Sequence, residues 1–279
     1  MVVRLELAKY EALGNDFLLV VDWPREGRFD ARLARALCDR RRGVGSDGLI
    51  RLSAPREGGD LRMDLLNADG STAETSGNGL RCAVLCAADH GLVTADHLVV
   101  ETEAGPVPAS FDAPDGDHPV TVRVGLGAVR VEALATSIAA RQAWRVDVGN
   151  PHLVLIGATV EDVDLGSLGP SLEVGVPGGQ NVELVAVRPG RDELDLVVWE
   201  RGVGLTLACG SGSIAAAAAA HVAGLVGAVV VVHNPGGDLV VELAPLAGGV
   251  GATLVGPARH VAQVFVDGFP TPRKKVLPE

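Results

Sequence analysis

An internal repeat constrains this chain more than any other feature. Ser76-Gly-Asn-Gly-Leu-Arg-Cys-Ala-Val-Leu-Cys-Ala-Ala-Asp-His-Gly-Leu-Val93 aligns without a gap with Cys209-Gly-Ser-Gly-Ser-Ile-Ala-Ala-Ala-Ala-Ala-Ala-His-Val-Ala-Gly-Leu-Val226, 133 residues further on. Each block is a small nucleophile-type residue, a Gly-x-Gly turn, an Ala-rich stretch of helical character and a Gly-Leu-Val that ends the helix and enters a strand. At the same offset Asn67-Ala68-Asp69-Gly70 lies over Glu200-Arg201-Gly202-Val203. At nearly the same offset Leu13-Gly14-Asn15-Asp16 lies over Val148-Gly149-Asn150-Pro151. Three blocks in register imply two related α/β halves facing one another across a pseudo-twofold axis. Ser76 and Cys209 are then equivalent positions, with a cleft between them.

Hydrophobic periodicity fills in the halves. Strands are expected around Leu5 to Lys9, Phe17 to Asp22, Leu49 to Ser53, Arg62 to Asn67 and Leu98 to Glu103, and helices near Ala31 to Arg40 and Asn78 to His90. The second half repeats the theme, with strands near Val120 to Val124, Trp144 to Val148, His152 to Ile156, Asn181 to Arg188, Asp192 to Glu200, Val229 to His233 and Asp238 to Leu243. The polar, turn-rich stretch Phe111 to His118 is the best boundary. A cut at about residue 115 gives halves 1–115 and 116–279. Ile214 to Val232 is long and apolar enough to cross a bilayer. Gly224 and Gly227 divide it, however, into a buried helix to about Ala223 and a strand from Ala228 to Val232.

Composition narrows the partners. Thirty-five Asp and Glu against 24 Lys and Arg give a net charge of -11, which repels phosphate backbones and anionic lipid and argues against nucleic acid or a membrane. Aromatic residues are 3%, too few for stacking platforms. A small zwitterion is indifferent to that field. Cys38, Cys82, Cys86 and Cys209 form no CxxC pair, so neither a zinc site nor a disulfide framework is indicated, and a reducing cytoplasm is expected. The first residues show no apolar run behind a basic start, so no signal peptide is expected.

Gly-x-Gly at a helix start leaves backbone N–H groups pointing outward at the positive end of the macrodipole, where an anion is favoured. Two such starts, with Gly77, Asn78, Gly210 and Ser211, would grip one carboxylate. The same surroundings are expected to lower the thiol pKa of Cys209. Asn15, Asn67, Asn150, Asn181, Glu200 and Arg201 each stand beside an apolar run, and together they suit the ammonium and carboxylate groups of an amino acid. Cys82 and Cys86, four apart on the first helix, and Cys38 are expected in the core. His152 is a candidate for orienting a thiol or carboxylate. Arg40 to Arg42 are expected as a solvated helix end.

Gly14-Asn15-Asp16-Phe17, Asn67-Ala68-Asp69-Gly70-Ser71, Gly77-Asn78-Gly79-Leu80-Arg81-Cys82, Gly149-Asn150-Pro151-His152, Asn181-Val182-Glu183, Glu200-Arg201-Gly202, Ala208-Cys209-Gly210-Ser211-Gly212 and Gly256-Pro257-Ala258 occur in this order. Together they resemble the ordered signatures of the diaminopimelate epimerase family. The resemblance implies two pseudo-symmetric domains, each a curved, mostly antiparallel sheet wrapped round a central helix, with the active site in the interdomain cleft. It also implies that the C-terminal segment 260–279 completes the first sheet. The implied enzyme needs no cofactor or metal, is a possible homodimer, and inverts one α-carbon of LL-diaminopimelate to give the meso form for lysine and cell-wall synthesis. In the family one cysteine removes the α-proton and a second, on the opposite face, delivers another. Here Cys209 matches one, and Ser76, preceded by Thr75, stands where the other is found. Leu205 replaces an acidic residue. Three readings accommodate Ser76: an epimerase whose first cysteine was changed to serine, a natural relative working from Cys209 alone as a dehydratase or epimerase on another amino acid, and a binding protein without turnover.

Overall fold

The computed structural model describes residues 4–21, 29–72, 76–94, 97–113, 118–246 and 249–267. The first half runs β1 (Leu5–Ala12), β2 (Asn15–Val21), α1 (Ala31–Cys38), β3 (Gly48–Ser53), β4 (Leu61–Asn67), α2 (Gly77–Asp89), β5 (His97–Thr102), β6 (Gly105–Phe111) and β7 (Val120–Ile138). The second runs β8 (Arg141–Asp147), β9 (Pro151–Gly157), α3 (Leu165–Glu173), β10 (Asn181–Val187), β11 (Glu193–Glu200), the short β12 (Gly204–Thr206), α4 (Gly210–Val222), β13 (Val229–Asn234), β14 (Gly237–Leu246) and β15 (Gly249–Val266). Leaving β12 aside, the two element orders are the same. In each half a short helix joins two parallel strands, β2 to β3 through α1 and β9 to β10 through α3. The remaining strand contacts are antiparallel except β4–β5 and β11–β13, which are parallel.

Two long strands tie the halves together. β7 and β15 pair with each other over Val120–Val129 and Val250–Ala258. Beyond that pairing β7 continues against β8, and β15 continues against β1. The first sheet therefore closes through β1 to β7 and β15, and the second through β7 to β11, β13, β14 and β15. Closure leaves no open edge in either ring. The cut near residue 115 falls in 114–117, outside the described residues. We propose the two rings as the two units, the first completed by Arg259–Val266 against β1; residues 268–279 of the expected C-terminal segment lie outside the described residues.

Each ring wraps one helix, and this explains the composition of α2 and α4. A helix surrounded by strands must be apolar all round and slender. In α4 Ala215 to Ala220 are wholly buried, and in α2 Cys82, Ala83, Cys86 and Ala87 play the same part. The buried Cys38 is the last residue of α1. α4 ends at Val222 and β13 begins at Val229, so the long apolar stretch is a helix and a strand. Among the described residues no helix is long and apolar enough to cross a membrane.

The two central helices meet start to start. A β-carbon placed on Gly210 would lie 2.8 Å from Leu254 Cδ2 and 3.4 Å from Gly77 Cα; one placed on Gly77 would lie 2.8 Å from the same Leu254 atom. Leu254, on β15, is wholly buried and has little room to move. Gly210→Ala is therefore expected to lower stability by about 1–3 kcal/mol through overpacking at the junction, read from urea or thermal unfolding. Unchanged stability would show that the helix starts are not in tight contact.

Candidate active site

The residues before the two helices adopt one conformation. Ser76 caps α2 with φ −135° and ψ 112°, and Cys209 caps α4 with φ −126° and ψ 117°. Ser76 Oγ accepts from Gly79 N–H at 3.0 Å, and Cys209 Sγ accepts from Gly212 N–H at 3.4 Å. The carbonyls of Ser76 and Cys209 accept from Leu80 and Ser213. The caps thus use the third and fourth N–H groups of each helix. The N–H groups of Gly77, Asn78, Gly210 and Ser211 are left at two abutting helix starts, an anion-binding arrangement. Thr75 lies outside the described residues.

A hydrogen-bonded chain supports this junction from the first half. Arg40 Nη2 donates to Asp47 Oδ1 at 2.8 Å, Asn15 Nδ2 to Asp47 Oδ2 at 2.8 Å, and Asn78 Nδ2 to Asn15 Oδ1 at 3.2 Å. Asn78 also donates to Ala208 O at 3.3 Å, reaching the residue before Cys209. Asn78 Oδ1 accepts from Arg81 Nη2 at 2.8 Å, which fixes the orientation of the amide. Arg81 is wholly buried; burial lowers its pKa to about 10, so it remains a cation at neutral pH. Arg40 was expected to be an idle helix end, but it also donates to Asp16 at 2.6 Å. Burial alone would raise the pKa of Asp16; its hydrogen bonds from Arg40 and Lys9 outweigh this and bring it to about 2. Asn67 is exposed, donates to Ser71 Oγ, and is tied to this side through the Ala68 N–H bond to Asp47 O.

The second half contributes the acid–base groups. His152 Nδ1 lies 2.6 Å from Glu183 Oε1 with both side chains wholly buried, and His152 Nε2 lies 3.1 Å from Asn150 Oδ1. Asn181 Nδ2 approaches the same ring nitrogen at 3.5 Å, and Asn181 Oδ1 accepts from Arg201 N–H at 2.9 Å. The Arg201 side chain is exposed and donates to Gly178 O. Glu200 Oε1 accepts from Thr206 Oγ1 at 2.5 Å, and its carboxyl stands close enough to Cys209 for its charge to act on the thiol. Ser211 Oγ lies 3.5 Å from Cys209 Sγ.

The expected lowering of the Cys209 pKa is corrected here. Burial first, then the nearby carboxylates of Glu200 and Glu183, push the thiol well above its ordinary range, and hydrogen bonds from Ser211 and Gly212 offset only part of this. The helix start is where the sequence places it, but two carboxylates arrive from other strands. Glu183, Arg81, Asp47 and Arg40 were not expected at the site. Glu183 and Arg81 had a legible signal: a charge in the apolar strand Asn181–Val187, and another in an otherwise apolar helix.

The diaminopimelate epimerase family profile matches residues 7–131 and 144–261. The chain belongs to the diaminopimelate epimerase family. A diaminopimelate epimerase of Desulforudis audaxviator is 40% identical over 277 residues, covering 92% of this chain and 97% of that one. Among solved structures, a PhzF-family phenazine biosynthesis protein of Bacillus anthracis superposes with a TM-score of 0.75 at 14% identity, covering 95% and 99% of the two chains. A hydroxyproline epimerase of Agrobacterium vitis gives a TM-score of 0.73 at 17% identity, covering 95% and 91%. As a family member the chain is an isomerase of the amino-acid racemase and epimerase class.

In the ligand-free protein Cys209 is therefore a thiol at neutral pH. Difference absorbance of thiolate between the unmodified chain and Cys209→Ser should show no Cys209 step below about pH 9. The folded chain keeps this proton to higher pH than the unfolded chain does, so its contribution to stability declines as pH rises above the ordinary thiol range. A Cys209 step near neutrality would contradict this assignment.

Proposed function

We propose that the chain binds diaminopimelate with its reacting α-carbon between Cys209 and Ser76, and that it works chemically from the Cys209 face. The observation carrying this reading is the pair of caps with matching dihedrals, one a thiol and one an alcohol, beside four N–H groups that have no hydrogen-bond partner among the described residues. The α-carboxylate would sit on Gly77, Asn78, Gly210 and Ser211, with Asn15 beside them. Asn67, Asn150, Asn181 and Arg201 would hold the distal amino-carboxylate, Glu200 would stand beside Cys209, and His152 would orient the groups there.

The resting thiol must lose its proton before it can take another. Glu200 would be the acceptor: its carboxyl lies near Cys209, and burial raises its affinity for a proton. Passing the proton from Sγ to Glu200 leaves the buried charge unchanged, which costs less than expelling the proton to solvent. The thiolate then takes the α-proton while the C–H electron pair moves into the carboxylate as an enediolate. The four N–H groups stabilise the charge that develops there. Reversal from Cys209 restores the starting isomer. Inversion needs a proton from the other face, where the Ser76 hydroxyl is a far weaker acid than a thiol.

The second reading, a relative acting from Cys209 alone on another amino acid, is favoured by Leu205, a 54% exposed apolar residue on β12 opposite Trp199 of β11. Incubation of each diaminopimelate stereoisomer in heavy water, followed by mass and chirality, separates the cases. One isomer should take up deuterium with retention, and the other should hardly react. Equal uptake by both, or inversion keeping pace with exchange, would contradict the one-face mechanism. Uptake from neither would favour the second reading.

A further inference from the structure

The duplicated halves place matched backbones under the two caps, and this allows a position-by-position comparison of what lies beneath them. In the second half His152 stands opposite Asn181 in the parallel β9–β10 register. In the first half Phe17 stands opposite Gly48 in the parallel β2–β3 register. Glu183 lies two residues after Asn181, and Ile50 two residues after Gly48, so Ile50 is the counterpart of Glu183. Phe17 and Ile50 are buried and apolar; His152 and Glu183 are equally buried and form the 2.6 Å pair.

Glycine geometry makes the comparison closer. A β-carbon on Gly79 would meet Met63 Cε at 3.2 Å and Ser76 Oγ at 3.2 Å. The equivalent point on Gly212 would meet Glu183 Oε1 at 3.0 Å and Cys209 Sγ at 3.3 Å. A methyl group lies beneath the serine where a carboxylate oxygen lies beneath the cysteine. The other carboxylate oxygen, Glu183 Oε2, is buried with no hydrogen-bond partner. A buried, half-satisfied carboxylate is a destabilising feature. The first half fills the same place with an aliphatic side chain, so the fold itself does not require a carboxylate there.

We propose that Glu183 is a positioning residue that anchors His152 by Nδ1 and holds a negative charge beneath Cys209, confining the proton-transfer apparatus of this chain to the face served by its second half. The proposal rests on the reading of Cys209 as the reacting group and explains why the Ser76 face lacks more than a thiol. Among the described residues, Glu200 from β11 and Glu183 from β10 act on Cys209, and His152 from β9 and Asp47 act in turn on Glu200. The Glu183 carboxylate opposes ionisation of the thiol above it. Its removal should make the thiol more acidic.

The test is iodoacetamide alkylation of Cys209 in the full chain across about pH 7 to 11, read by peptide mass spectrometry for the unmodified protein, Glu183→Gln and Glu183→Asp. Glu183→Gln, which keeps the shape and loses the charge, should alkylate about tenfold faster near pH 8. Glu183→Asp keeps the charge and shortens the reach to His152. Its alkylation profile should follow the unmodified chain, while deuterium uptake from the Cys209 face falls with KM unchanged. Coincident profiles for Glu183→Gln and the unmodified chain, or a Glu183→Asp profile matching that of Glu183→Gln, would overturn the proposal and leave Cys209 as the reacting group. A Cys209 that is unreactive at every pH in all three proteins would overturn both readings. Should Glu183→Gln not fold, the carboxyl carbon resonance of Glu183 in the unmodified chain reports the same coupling: it should shift as Cys209 ionises, and a resonance unmoved by that step would overturn the proposal.

Discussion

Everything in this molecule depends on two helix starts being able to touch. Gly77 and Gly210 lack the β-carbons that would strike Leu254, so two positive helix ends abut and their unused N–H groups point to one place. Like ends of helix dipoles repel one another, and the arrangement is stable only because each helix is enclosed by strands and packed by small side chains. The shared strands β7 and β15 hold both rings in register, and β15 supplies Leu254 to the contact. Under the proposed function, this electrostatic misfit in the free protein is relieved when a carboxylate, and then an enediolate, fills the junction. That is preorganisation in the physical sense: the orienting cost is met during folding rather than during reaction.

Duplication supplied the geometry twice, and the chemistry then diverged. Cap dihedrals, the cap hydrogen bonds and the parallel pairs are matched between halves, whereas the groups beneath the caps are not. The first half sets Met63 against the Ser76 cap and fixes Asn15 and Asn78 through Asp47, Arg40 and Arg81. The second half gathers His152, Glu183 and Glu200 around a thiol. Under the proposed function, one side of the fold binds and the other binds and exchanges protons.

Much of this was legible in the sequence because the repeat blocks coincide with the pieces that make the junction. The caps, central helices and most strands follow from glycine placement and periodicity. Four features did not. β6, interrupted by Pro106 and Pro108, and the three-residue β12 were not expected. β7 was expected to end near Val124, and of β15 only the part from residue 260 was expected to join a sheet, because Gly125, Gly127, Gly249, Gly251 and Pro257 interrupt both patterns; pairing with neighbouring strands carries the sheet past them. α3 contains Gly166, Gly169 and Pro170, poor helix formers, but Gly169 packs against Trp199, where a β-carbon would come within 2.5 Å of the ring, and Asp164 caps the start. The acidity of Cys209 was misjudged because its local setting favours a thiolate while carboxylates distant in sequence oppose it. Burial and long-range charge are properties of the assembled fold.

The account's central claim is that inversion is limited by the acid on the Ser76 face, with the remainder of the site competent. The most direct measurement is the turnover of LL-diaminopimelate to the meso isomer by the unmodified chain and by Ser76→Cys, under the same conditions. A thiol in that cap should raise the inversion rate by about 10²–10⁴-fold, the weight of a positioned acid or base, with little change in substrate affinity. Equal inversion rates for the two proteins would show that Ser76 is not the limiting group and would contradict the account.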